Sequence, residues 1–66
     1  MKLSINGESR EFDDALTITD LIEKLGLKGK FVAVERNKEV ISYKSYTVTP
    51  LDEGDQLEIV TLVGGG

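Results

Sequence analysis

Leu3 and Ile5 alternate with Lys2, Ser4 and Asn6, and this period of two predicts a strand with one buried face. Asn6-Gly7 follows, a dipeptide that tolerates positive φ at both central positions of a tight turn, so Ser9 to Phe12 is expected to fold back antiparallel. Residues 2–12 therefore read as a hairpin. From Leu16 the period lengthens. Ile18, Leu21, Ile22 and Leu25 fall at i, i+3, i+4 and i+7, the spacing that gathers side chains on one stripe of a helix. Thr17 stands at the N-cap with Asp20 three residues later in capping-box spacing, and Leu16 is placed to close over Leu21 as a hydrophobic staple. Gly26 ends the pattern as a left-handed C′ residue, with Leu27 as the accompanying apolar contact. The helix is short, about two turns.

Phe31 to Arg36 is a second strand run, and Glu39 to Ser42 returns after Asn37-Lys38. Lysine is poorly suited to a positive φ, so a longer loop or another turn type is expected there. Tyr43 to Leu51 reads as an irregular crossing with one helical turn, since Pro50 has no amide for a central ladder. Asp52-Glu53-Gly54-Asp55 is a turn, and Gln56 to Val63 is the last and longest strand. The whole is an α+β chain: a sheet of about five strands with one main helix packed on one face. The last strand is expected beside the first, at the centre, with a hairpin on each side. Leu3, Ile5, Val32, Val34, Leu57 and Ile59 would then face the helix. Val60 and Leu62 fall on the opposite face, where polar residues are the norm in a monomer.

Length limits this chain to one domain, since 66 residues lie near the lower bound for a core that holds without crosslinks or metal. The sequence has no Cys, so a disulfide framework is excluded and a reducing cytoplasm is the expected location. The longest apolar run, Phe31 to Val34, is far too short to span a bilayer, and the first residues do not resemble a signal peptide. A soluble chain, unprocessed at its start, is expected. Eight basic against twelve acidic residues leave a net charge of −4, the wrong sign for phosphate neutralisation, so nucleic acid is an unfavourable partner. The same charge favours encounter with a basic protein surface.

With neither His nor Cys, the common nucleophile and base pairs cannot be assembled, and a metal site would rest on carboxylates alone. No metal site is expected. Asp13-Asp14 and Asp52 to Asp55 lie in predicted turns, where solvated acids are ordinary, and "DEGD" lacks the ligand spacing of a Ca²⁺ loop. "GLKGK" at 26–30 separates its glycines by only two residues and offers Phe31 where a phosphate loop needs Ser or Thr. It reads as a helix stop and a basic link. Tyr43 and Tyr46 lack the surrounding basic groove of a base-stacking platform and are expected to cover the edge of the core.

The sequence ends on "LVGGG" at 62–66. Terminal glycines are ordinarily a frayed end or an expression scar. Here they follow directly on the longest strand, and Gly66 is expected to be the free tip that carries the α-carboxylate. Three extended residues reach about 10 Å, enough to carry that group from a rigid sheet into a narrow cleft of another protein. The boundary is drawn accordingly: a domain over 1–63 and a flexible glycine tail over 64–66.

These segments together resemble the ubiquitin-like sulfur carriers, specifically those of thiamine biosynthesis. "INGESREF" matches the family's first hairpin, "TITDLIEKLGL" its helix, "VAVERNKEVI" its second hairpin and "DEGDQLEIVTLVGGG" its final turn, strand and tail. Each segment is unspecific alone; the ordered set over the whole length is specific. The resemblance implies a ubiquitin-like β-grasp fold with a mixed sheet. It implies a carrier rather than an enzyme, with no cofactor bound by this chain. In the family, an adenylyltransferase resembling the ubiquitin-activating type uses ATP and Mg²⁺ to make the acyl adenylate of the terminal glycine, here Gly66. A sulfur nucleophile supplied through a sulfur-donating enzyme displaces AMP, and the thiocarboxylate passes sulfur to thiazole synthase. Gly64 and Gly65 would thread the partner's channel, and Val60 and Leu62 would seat the domain against it. Among carriers, the small subunit of molybdopterin synthase shares the fold and the Gly-Gly end and is the competing assignment. A modifier that joins its tail to lysine side chains is a second class, and a structural interaction domain of the same fold a third.

Overall fold

The computed structural model describes residues 1–62. The expectations placed on Val63, Gly64, Gly65 and Gly66, including the tail boundary, lie outside the described residues. Strands β1 (Lys2–Ile5) and β2 (Glu8–Glu11) pair antiparallel, joined by Asn6 and Gly7 at φ 51° and 84°. All four residues of β2 are exposed, and three are charged, which keeps this edge from pairing with another chain.

Helix α1 (Ile18–Lys24) is closed at both ends by the side chains and glycine that mark it in the sequence. The Asp20 amide donates to Thr17 Oγ1 at 3.2 Å, and the Thr17 amide donates to Asp20 Oδ2 at 2.9 Å. At the other end Gly26 takes φ 77°, and the amides of Gly26 and Leu27 donate to the carbonyls of Glu23 and Ile22, both at 3.0 Å. These two bonds complete a Schellman motif. In a helix this short, caps satisfy a large share of the unpaired backbone groups. Thr17→Ala is therefore expected to cost about 1 kcal/mol and lower Tm by about 5 °C; an unchanged melting curve would show the box to be dispensable.

Strands β3 (Val32–Arg36) and β4 (Glu39–Ile41) form the second hairpin. Phe31 does not belong to it. It ends a single 3-10 turn, Gly29–Phe31, so the strand begins one residue later than its apolar pattern suggests. The loop also differs from expectation: Arg36 pairs with Glu39, leaving Asn37 and Lys38 as a two-residue turn with φ 52° and 72°. Lysine accepts the left-handed conformation here because its neighbour is anchored from the other side. The Asn37 amide donates to the Gln56 carbonyl at 2.7 Å, and Asn37 Oδ1 accepts from the Gln56 amide at 2.9 Å.

The final strand, β5 (Gln56–Thr61), is the longest. It runs parallel to β1 on one side and antiparallel to β3 on the other, giving the order β2-β1-β5-β3-β4. Val34 and Ile59 pair within it, as do Ile5 and Leu57, and these side chains are buried under Ile18, Leu21 and Ile22 of the helix. The crossing from β4 to β5 holds one 3-10 turn, Tyr43–Ser45, and then lies along the start of the helix. The Ile18 amide donates to Thr49 at 3.1 Å and the Leu51 amide to Leu16 at 2.8 Å, so the bridge at Thr17 and Pro50 never calls for the missing proline amide. Tyr46 is core rather than edge. It is 3% exposed, with its hydroxyl donating to the Val32 carbonyl at 3.1 Å, whereas Tyr43 is exposed and meets it edge-on at 5.5 Å. Among the described residues no helix is long and apolar enough to cross a membrane.

Candidate functional site

β5 alternates Leu57 and Ile59 into the core with Gln56, Glu58 and Val60 outward, a burial pattern that leaves Val60 58% exposed. Leu62 is 63% exposed just beyond the strand, and its amide donates to the Phe31 carbonyl at 2.6 Å. That bond continues the β3–β5 pairing one step past Val32 and Thr61. The outer-face placement of Val60 and Leu62 is as the alternation predicts. Gly64, Gly65 and Gly66 follow in sequence.

Both flanks of β5 are held by an asparagine from a hairpin turn. Asn6 Nδ2 donates to the Ile59 carbonyl at 3.1 Å while its Oδ1 accepts from the Ile59 amide at 2.8 Å, and the Asn6 amide reaches the Leu57 carbonyl at 2.8 Å. This side chain imitates a strand residue and extends the β1 side of the ladder past the end of β1. On the opposite flank Asn37 holds Gln56 with its Oδ1, which accepts from the Gln56 amide, and with its backbone amide, which donates to the Gln56 carbonyl. A turn residue that takes positive φ and also clamps the central strand has two reasons to be asparagine.

Beneath the start of β5 lies a charged knot. Asp55 is only 6% exposed, and its carboxylate accepts from Arg36 Nε at 2.8 Å, Asn37 Nδ2 at 3.0 Å and the Asp52 amide at 2.8 Å. Arg36 also donates through Nη2 to Asp52 Oδ2 at 2.8 Å. Burial alone would raise the Asp55 carboxyl; the Asp52 amide, Asn37 and Arg36 together outweigh it and hold the group below its ordinary value. The expectation that acids 52–55 are ordinary solvated turn residues is thus wrong for Asp55, because the turn folds its side chain inward onto the β3–β4 hairpin. Asp13 and Asp14 are exposed as expected. Among the described residues no group of three acids is arranged to hold a metal ion.

The last described residues are a strand braced on both sides and an exposed apolar surface at Val60 and Leu62, and no described cleft gathers a nucleophile with a base. Comparison with known proteins agrees. The model of the ThiS family matches residues 3–66, a span that takes in Gly64, Gly65 and Gly66. The sulfur carrier protein ThiS of Bacillus subtilis is 43% identical over 65 residues, covering 97% of this chain and 98% of its own length. A thiazole synthase of Paramagnetospirillum magneticum is 47% identical over 66 residues, of which this chain spans 20% of the length. A thiamine biosynthesis protein (ThiS) from Geobacter metallireducens, solved by crystallography, superposes with a TM-score of 0.84 at 32% identity and full coverage of both chains.

Proposed function

The chain belongs to the ThiS family and is a sulfur carrier protein of thiamine biosynthesis; we propose that its sulfur rides on Gly66 as a C-terminal thiocarboxylate. The observation that carries this reading is the family match running through the glycines that follow a braced central strand. A carboxylate is a poor electrophile. Attack of the Gly66 carboxylate on the α-phosphorus of ATP, with loss of pyrophosphate, turns one oxygen into part of an AMP leaving group. A sulfur nucleophile then displaces AMP. ATP and Mg²⁺ belong to the activating adenylyltransferase, and this chain supplies the acyl group and the surface by which it is held. The chain itself has no Cys, so the sulfur nucleophile comes from another protein.

Thiazole synthase is the acceptor in this proposal. Thiazole synthases that carry a homologous segment within one polypeptide support the pairing, since fusion raises the effective concentration of two proteins that must meet. Gly64 and Gly65 allow the backbone to pass a narrow channel because no side chain widens it. Val60 and Leu62, exposed a few residues before them, form the docking surface.

Leu62→Glu should raise the KM for the carrier in ATP-dependent adenylation by about tenfold or more, with Tm unchanged because the side chain is already in solvent. Wild-type KM in that variant would remove Leu62 from the docking surface. The reading as a whole is tested by incubating the chain with its activating enzyme and ATP-Mg²⁺: intact mass should gain one adenylyl group. If the adenylated chain is then found joined through the Gly66 acyl group to a lysine amine of another protein, with AMP released, the modifier class is favoured instead.

A further inference from the structure

The outer face of the sheet holds two acids from which the free chain gains nothing. β3 and β5 pair with Glu35 directly opposite Glu58, both exposed, while Val34, Leu57 and Ile59 on the same strands are buried on the other side. Like charges directly opposite destabilise a sheet. Among the described residues neither carboxylate takes part in an ion pair, and Lys38, which lines the same shallow depression, pairs with neither. On one side of the pair the same depression is polar, lined by Ser4, Lys38 and Gln56, and on the other side the surface is apolar. Val40 lies opposite Glu35 on β4, the next cross-strand row is Ala33 with Val60, and Leu62 stands beyond it. The two acids therefore stand directly opposed, without an ion pair, where the exposed apolar surface meets that polar depression.

We propose that the activating partner docks on this face with one arginine, whose guanidinium enters between Glu35 and Glu58 while Val40, Val60 and Leu62 exclude water around it. This rests on the carrier reading above and assigns the chemistry of the partner at that surface. A cation is required because it alone relieves the repulsion between the acids, and the chain's net charge of −4 steers a basic surface toward it. Arginine fits better than lysine. Its planar fork donates to two carboxylates at once, and its weaker hydration suits a site that becomes apolar on docking. The acid pair thus costs the free carrier stability and returns it as selectivity for the partner.

That opposition provides the test. The isosteric double variant E35Q/E58Q should melt about 2 °C higher than wild type at low salt, since only the repulsion is removed. In ATP-dependent adenylation by the activating enzyme of the same organism, its KM should rise on the order of tenfold with kcat unchanged, and the salt dependence of kcat/KM should flatten. KM within about twofold of wild type, or an unaltered salt slope, overturns the proposal. If wild type is adenylated and E35Q/E58Q matches it, only this inference fails; if wild type is not adenylated, the carrier reading fails with it. Sedimentation of the free chain covers the remaining occupant: a wild-type dimer that the double variant alters would assign the face to a second copy and overturn the assignment to the enzyme.

Discussion

Removal of Gly66 is expected to abolish sulfur transfer while leaving the folded domain intact. The variant still ends in a glycine carboxylate, that of Gly65, so the chemistry of the group is unchanged and only its position moves. One residue of extended chain is about 3.5 Å. With β5 braced on both flanks and Val60 and Leu62 seated on the partner, the domain cannot slide forward to make up that distance without losing its docking contacts. Misplacement of a reacting group by about 1 Å already costs on the order of a hundredfold in rate, so adenylation should fall by at least about that factor. A strain lacking this carrier should recover vitamin B1 synthesis with the wild-type chain and not with the shortened one. The melting temperature should match wild type, which separates a lost reach from a lost fold. Equal rescue by both chains would mean that the carboxylate of Gly66 is not the derivatised group.

The second large effect is structural, at Asp55. Asp55→Ala removes the acceptor of Arg36 Nε, Asn37 Nδ2 and the Asp52 N–H at a nearly buried position, while Arg36 Nη2 keeps its bond to Asp52. Losing a buried acceptor of three hydrogen bonds, one of them from a charged donor, costs about 2–3 kcal/mol. A domain of this length holds only about 5 kcal/mol, so the variant should be largely destabilised in urea unfolding and partly unfolded at growth temperature. The carboxyl is held below its ordinary value, so its stabilisation is complete above the unfolded-state pKa. It is lost as pH falls through the folded one, a window below about pH 4. Asp55→Asn should accordingly be less stable at neutral pH and show a shallower loss of stability in acid than wild type. Parallel acid profiles for the two would rule Asp55 out as the titrating group.

The contrast between these two positions shows which parts of the molecule are legible in a sequence. Both ends of α1, the Asn6-Gly7 turn and the outward placement of Val60 and Leu62 rest on residues within a few positions of one another, and each is read correctly from pattern and spacing. Asp55 is a different case. Its partners Arg36 and Asn37 lie 19 and 18 residues away, and they meet it only because β3 pairs with β5. Nothing local distinguishes it from Asp52 or Glu53. Asn6 bonds to Ile59 across 53 residues, so its turn role is visible and its clamp is not. The two-residue turn at Asn37-Lys38 follows the same logic: propensity disfavours lysine, and the tertiary anchor on Asn37 overrides it. Glu35 and Glu58 each look like ordinary strand-surface acids until the register places them face to face. A usable signal for Asp55 did exist in the arithmetic of polar satisfaction, since Arg36 ends a strand whose other residues are largely apolar and needs an acid from a neighbouring strand or turn.

The central claim is that a rigid domain presents one glycine carboxylate for exchange of oxygen by sulfur. The most direct measurement is the intact mass of the chain isolated from its own cells during thiamine starvation, with fragmentation to place any change. The account predicts a fraction of molecules heavier by the exchange of one oxygen for one sulfur, with the increment on Gly66. A chain found at unmodified mass under those conditions, or carrying sulfur at any other residue, would contradict it.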